Sequence, residues 1–547
     1  MLLWYFTGNP ARLVQNAGGG GQDVIYQSHH ARNVSEQTVH VLDTEKSWLS
    51  TTSLRLSLSS MLAELSSRKM GLHRQKKLPA AAVNSTSAFG ISINTPRLDR
   101  NIDRQDWIPQ MILAPSTSVE DQATCFFFGN YISGTEMLNT CGNYQYVYAI
   151  YANQTVGIPL RQAVTAIGLA GLANFWSAPN IMAKANGAYC SALRLVNSGL
   201  GNIEEAKSDQ ALVAIILLGL YEINTSSGRR SMKSWTEHIL GATALVQLRG
   251  KDSLSSPLGR NIFVHLRNGI VRIPILEILV VDSENIQIAS CIQRHTAVPN
   301  SITELTKISL QYESPVEAAS TKLGLLITKH AALRASMKEP QDYENTPSII
   351  RSLQALDQEY LEWTHALPPE FISTQVPVSE GARSKDAYGT HYLQYSSIWI
   401  ASIWNNYRCA RILANELLLS HLSHSRNNIP EIDQQPYENI LDTTITTLHT
   451  LSNDIFNTVP FFLSTDTNEA PRALAGNLTL WPLYLASQTS GVLDDVRRWA
   501  RERLRYIANT MGIRQAEPMV ERLTEALDSE VRVLGDSVAE VSMKEAL

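Results

Sequence analysis

The sequence predicts an all-α fold: a large domain of packed antiparallel helix pairs behind an irregular N-terminal region. Three observations predict it. Between residues 118 and 527, apolar residues recur at three- and four-residue steps in one long segment after another. No run alternates apolar and polar residues with the Val and Ile enrichment that a half-buried strand needs. The segment from Ala211 to Tyr221 is apolar on every side, as a helix enclosed by other helices must be.

The chain of 547 residues is 44% apolar and 18% charged, enough for a large core. Its net charge of −5 argues against a broadly basic nucleic-acid surface. The five cysteines, at 125, 141, 190, 291 and 409, form no CxxC pair. They predict neither a disulfide framework nor a zinc cluster, and isolated thiols fit a reducing compartment. The opening Met1-Leu-Leu-Trp-Tyr-Phe is too short for a signal segment and has no basic flank.

Residues 1–117 read as an irregular region. Gly18–Gly21 lacks the Lys-Ser/Thr of a phosphate loop and reads as a flexible break. Two short apolar patches lie near Trp48 to Leu65, followed by the most basic short stretch, Arg68 to Lys77. That stretch reads either as a solvated linker or as a nuclear-import signal. Pro79 to Pro96 has linker composition.

Order is expected from Ser118. Helices are predicted over Leu160 to Trp176, whose small residues let backbones approach, and over Ile181 to Leu200. Pro179 separates the two. The stretch Ser208 to Gly250 reads as a core hairpin, with Ala211 to Tyr221 buried and the second helix opened by the capping-box spacing Ser234-Trp235-Thr236-Glu237. Trp235, Ile239, Ala242, Leu245 and Val246 share one face of it, and Gly250 stands at the C-terminal cap. At roughly a dozen residues, the buried half is too short to span a bilayer.

Beyond it a helix is predicted over Asn261 to Leu266, a kink or break at Pro274, and another helix from Ile275 to Arg294. Further helices are predicted over Ser314 to Lys338, Ile349 to Thr364, Gln394 to His421, Asn439 to Asn457, Ala473 to Ser487, Asp494 to Met511 and Pro518 to Leu527. Ser373 to Asp386, Ser423 to Pro436 and Phe461 to Pro471 read as loops. Residues 528–547 read as a charged tail.

No HExxH, GxSxG or Walker pattern occurs. Glu237-His238 reads as structural, and Gly535-Asp536-Ser537 lies in the tail. No catalytic, cofactor-binding or metal residue is assigned, and the chain does not read as an enzyme. Arg497, Arg498, Arg501, Arg503, Arg505 and Arg514 form the one local charge anomaly. They read as a solvated face of an amphipathic helix with internal salt bridges, against the alternative of an acidic or phosphate-bearing partner.

Several of these segments together carry a family pattern. They are Ala123-Thr124-Cys125-Phe126-Phe127-Phe128; Ala192-Leu193-Arg194-Leu195-Val196-Asn197; Ser208-Asp209 with Leu217-Leu218-Gly219-Leu220-Tyr221-Glu222; and Trp235 with His238-Ile239-Leu240-Gly241-Ala242 and Ala244 to Gly250. Later come Trp404-Asn405-Asn406-Tyr407-Arg408 with Arg411, Trp481-Pro482-Leu483-Tyr484, and Arg497-Arg498-Trp499 with Arg503 to Ile507 and Met511 to Ala516. Their order and spacing over residues 118–525 resemble the regulatory domain of fungal six-cysteine, binuclear-zinc-cluster transcription factors. The resemblance implies an all-helical regulatory domain over 118–527, acting in the nucleus on transcription and often as a dimer, without catalytic residues.

In that family six N-terminal cysteines hold two zinc ions and a short helix enters the major groove. No cysteine precedes Cys125 in this chain. Zinc is therefore expected only with an upstream cysteine cluster, and DNA contact is expected indirectly or through a module outside this chain. The partners expected are a protein (a second copy, a heterodimer partner or the transcription machinery) and a small-molecule effector, with no membrane. Control of a metabolic or secondary-metabolite gene cluster fits such a regulator. The alternative is an all-α scaffold or small-molecule-binding module with no transcriptional output.

Overall fold

A computed structural model gives the fold, and it describes residues 118–132, 144–151, 156–225, 229–280, 298–337, 346–378, 387–427, 435–463 and 472–528. From Val119 onward these belong to one compact unit. The N-terminal region with its basic stretch, the tail after Asp528, Cys141 and Cys291 lie outside the described residues.

The first block is α1 (Val119–Tyr131), α2 (Gln145–Tyr151), α3 (Ile158–Trp176), α4 (Pro179–Gly199), the single turn α5 (Ile203–Ala206), α6 (Asp209–Thr225) and α7 (Arg229–Arg249). α3 sits at its centre: every residue from Ala163 to Asn174 is buried, and α1, α4 and α6 pack around it. Small side chains make this packing close. A Cβ built on Gly168 would lie 1.9 Å from the carbonyl oxygen of Ala123 in α1. α6 is the second enclosed helix, buried from Leu212 to Tyr221, as its all-round apolarity predicts.

α7 folds back on α6. Trp235 and His238 pack against Gly219, and Arg249 near the end of α7 pairs with Asp209 at the start of α6. One expectation is corrected here. Helix α7 begins at Arg229, so Ser234 lies inside it and does not cap it. Arg229 to Lys233 contains neither proline nor glycine, so nothing there stops the helix short of Ser234. A full capping box stands instead at the helix Pro315–Ala335, where Ser314 Oγ accepts from Glu317 N at 3.3 Å and Glu317 accepts from Ser314 N at 2.7 Å.

The chain continues through α8 (Pro257–Val280), α9 (Asn300–Ser309), α10 (Pro315–Ala335) and α11 (Thr346–His365). The break expected at Pro274 is absent, since α8 runs through it to Val280. Proline costs a helix interior about 3 kcal/mol, a penalty that weakens a helix without forbidding it. Two later helices likewise contain prolines, Pro460 in Gln435–Leu463 and Pro482 in Arg472–Gln488. The part of the predicted Ile275 to Arg294 helix beyond Val280 falls outside the described residues.

Two four-residue strands follow, β1 (Thr374–Pro377) and β2 (His391–Gln394), paired antiparallel with Thr374 opposite Gln394 and Pro377 opposite His391. They correct the reading of Ser373 to Asp386 as loop throughout. Their shortness and the proline on β1 hide them from pattern reading. The extended β2 also moves the start of α12 (Ile398–Asn427) past Gln394, and α12 runs on beyond Ser423. α13 (Gln435–Leu463), α14 (Arg472–Gln488), α15 (Asp494–Thr510) and a last helix α16 over 516–528 complete the body.

The main helix contacts run in series from α7 to α8, α10, α11, α12, α13, α14 and α15. They close into a circuit where α14 packs on α1.

Ser177 ends α3 in the left-handed region, φ 51 and ψ 44. An L-residue there costs about 1 kcal/mol that glycine avoids. Ser177→Gly is expected to stabilise the domain by about 0.5 kcal/mol, after the extra unfolded-state entropy of glycine is subtracted. A raised urea midpoint, with no rise for Ser177→Ala, checks this.

Candidate functional site

Several residues of the family pattern form buried polar and aromatic nodes between helices. The largest joins α11, α12 and α13 through the Trp404 to Arg411 segment. One turn of helix separates Tyr407 from Arg411, so both face α11. Arg411 donates to Asp357 through Nε (2.8 Å) and Nη2 (2.6 Å), a two-pronged pair, and through Nη1 to Tyr407 Oη at 3.0 Å. Asn415 Nδ2 donates to the same carboxylate at 2.8 Å. The pair is well shielded, with 8% of the Arg411 and 19% of the Asp357 side chain exposed.

One turn back, Arg408 donates to Asn405 Oδ1 at 3.1 Å, and Asn405 donates to Thr458 of α13 at 3.1 Å. Arg408 also lies 3.5 Å from Asp454 and over the Trp404 ring at 5.4 Å. The aromatics are keyed to backbone: Trp363 Nε1 donates to Ala319 O and Trp404 Nε1 to Phe371 O, each at 2.9 Å. Trp363 stacks on Tyr407 with ring centres 5.2 Å apart. Burial pushes the Tyr360 phenol far above its usual range, with the Asp357 charge adding to the effect.

A second node lies between α4, α6 and α7. Tyr189 stacks on Tyr221 at 4.4 Å, donates to Glu222 at 2.7 Å and lies 3.3 Å from His238 Nε2. Tyr221 donates to Asn186 at 2.6 Å. Burial lowers the His238 pKa, and the Glu222 charge partly opposes it. His238 thus lies at the contact of α7 with α4, beside Tyr189.

The arginine-rich helix is α15. Arg498 pairs with Asp495 at 2.8 Å, Arg497 with Asp494 at 3.3 Å, and Arg501 with Glu502 at 3.3 Å. Arg505 also pairs with Glu502, and its hydrogen bond holds that carboxyl below its usual pKa. The opposite face, Val496, Ala500, Leu504 and Ile507, is buried. Internal salt bridges are present, and these arginine side chains range from 19% exposed at Arg497 to 50% at Arg498.

Among the described residues no group of three or more His, Cys, Asp or Glu is arranged to hold a metal ion. Of the described cysteines, Cys125 is exposed, Cys190 half-buried and Cys409 buried, and these three form no disulfide. No described helix is long and apolar enough to cross a membrane.

His330 of α10 is buried and neutral. Burial, reinforced by Arg334, lowers its pKa to about 4. Between pH 6.5 and 4 the unfolded chain takes up a proton that the folded chain refuses, so stability falls as pH falls through that window. The contribution is about 2–3 kcal/mol at pH 4.5. Urea unfolding at pH 7.5 and 4.5 is expected to show a smaller acid loss for His330→Leu by that amount. Equal losses would contradict it.

Sequence reasoning found Arg411 within its motif but missed its partner Asp357, which lies 54 residues away. It also missed Tyr189, which reads as one more polar-capable position in an alanine-rich helix.

The model for the fungal specific transcription factor domain matches residues 135–526, most of the helical body. The chain is 23% identical to transcription factor dbaG of Emericella nidulans over 382 residues, covering 65% of this chain and 80% of that protein. It is 30% identical over 89 residues to the uncharacterized protein AN5342 of the same organism, 16% of this chain and 18% of that one. No solved structure matches. With well over half of its length matched, the chain belongs to the fungal specific transcription factor domain family, as a regulator of transcription.

Proposed function

We propose that residues 118–527 form the regulatory domain of a nuclear transcriptional regulator that acts without catalysis, through a protein partner, on a metabolic or secondary-metabolite gene set. One observation carries the reading: the family match over 135–526 coincides with a body of packed helices in which the Tyr407 to Arg411 segment is spent on interhelix bonds. A domain built this way transmits binding through shape and contacts. Contact with DNA comes through a partner or a module outside this chain. The flanks, 1–117 and 528–547, serve as linker and tail, with Arg68 to Lys77 either a solvated linker or an import signal.

A fluorescent fusion of the full chain tests the location. Nuclear accumulation is expected, and Arg74, Lys76 and Lys77 replaced by alanine should abolish it. A cytoplasmic fusion would favour the scaffold reading. Co-purification from nuclear extract tests the partner: a stoichiometric second protein or a second copy is expected, and a monomer at nuclear concentration would overturn this part.

A further inference from the structure

The corner that joins α7 to α8 carries an exposed serine followed by proline. Four serine–proline or threonine–proline pairs occur in the chain, beginning at Thr95, Ser256, Ser314 and Thr346. Thr95 lies outside the described residues, and Thr346 is buried, only 4% exposed. Ser256 and Ser314 are exposed, as are Pro257 and Pro315 behind them. Both serines have extended backbone, φ −91 and ψ 143 at Ser256 and φ −65 and ψ 162 at Ser314. A protein kinase takes its acceptor serine in an extended segment. A proline that follows it brings no N–H for the kinase groove to satisfy.

Their surroundings separate the two serines. Ser314 is flanked by carboxylates: Glu317 accepts its N–H at 2.7 Å, and Glu313 precedes it. A phosphate there would meet like charge. Ser256 is flanked by a cation. Arg260 stands one turn further on in α8, and its Nη1 donates to Leu254 O at 3.0 Å and Ser255 O at 3.1 Å, which folds the guanidinium back over the corner. The guanidinium also lies 5.5 Å from the ring centre of Tyr312, and among the described residues no carboxylate pairs with it. Ser256 Oγ accepts from Gly259 N at 2.9 Å. A phosphate on that oxygen would therefore stand beside Arg260. Asp252, the one acid in Lys251–Ser255, is exposed and has Lys251 next to it.

We propose that Ser256 is a phosphorylation site, modified by a proline-directed protein kinase and then held by Arg260. The step moves the terminal phosphoryl group of ATP to Ser256 Oγ. The Oγ–P bond forms, the bond from that phosphorus to the oxygen of the departing ADP breaks, and the hydroxyl proton leaves. The product carries about −1.5 to −2 charge at neutral pH and offers three acceptor oxygens to the guanidinium. It thereby ties Lys251–Ser255 to the first turn of α8. The site stands whether or not the output of the chain is transcription.

Incubation of the full chain with ATP and a mitogen-activated or cyclin-dependent kinase, followed by peptide mass mapping, tests the site. Phosphate is expected on Ser256, lost in Ser256→Ala, with none on the buried Thr346. Phosphate confined to Thr95 or Ser314 would overturn the proposal. So would its absence with both kinases when each modifies a control peptide. Hydrogen exchange then tests the role of Arg260. Amides of residues 251–259 should exchange about tenfold more slowly in the phosphorylated chain than in the unmodified one, with α12 unchanged. Arg260→Gln should abolish that slowing and leave phosphorylation of Ser256 in place. If this variant does not fold, high salt should shrink the slowing in the wild type, because it screens a charge pair at the surface. No slowing, or slowing indifferent to the substitution or to salt, would overturn the pairing with Arg260.

Discussion

Asp357→Ala is expected to destabilise the domain by about 3–5 kcal/mol. It leaves the Arg411 guanidinium, 8% exposed, without its two-pronged acceptor, and a buried charge stripped of its partner costs that much. Asn415 loses the same acceptor. The variant Arg411→Met should cost a similar amount by stranding the carboxylate. The double variant Asp357→Ala/Arg411→Met should cost little more than either alone, because the charges leave together. Urea unfolding of the three proteins measures the coupling. A coupling below about 1 kcal/mol would mean that the pair is an ordinary surface bridge. In cells, the single variants should lower the protein level several-fold, since a loss of 1–2 kcal/mol already changes abundance.

Gly168→Ala should cost about 3 kcal/mol or more. The added methyl would sit 1.9 Å from Ala123 O, which is backbone and cannot swing aside. The α1–α3 contact would have to open along its length. Gly187 of α4 is the matched control: a Cβ there meets nothing within 4 Å. Gly187→Ala is expected to stabilise by about 0.5–1 kcal/mol through helix propensity alone. The two substitutions are chemically identical, so a difference in sign isolates the close approach at Gly168. Equal effects would contradict the packing.

What was legible in the sequence follows periodicity. The enclosed α6, the face of α7 and the stripe Ile350, Leu353, Leu356, Tyr360 and Trp363 of α11 are all buried where the spacing places them. The misreadings come from local signals that tertiary packing overrides. Pro274 does not end α8, and Ser234 does not start α7. The four-residue strands are too short to show alternation.

The polar nodes were half legible. Arg411 and Tyr407 stand four residues apart and announce a shared face. Asp357 lies on another helix, and no spacing rule links it to them. Asn174, whose Nδ2 donates to Gly512 O at 2.7 Å, is further still from any local pattern, and only the closed circuit brings the two together.

The central claim is that this chain regulates transcription. The most direct measurement is the transcriptome of a deletion strain beside the same strain re-expressing the chain. A defined gene set that changes on deletion and returns on re-expression is the predicted result. Indistinguishable transcriptomes, under conditions where the protein is expressed, would contradict the account.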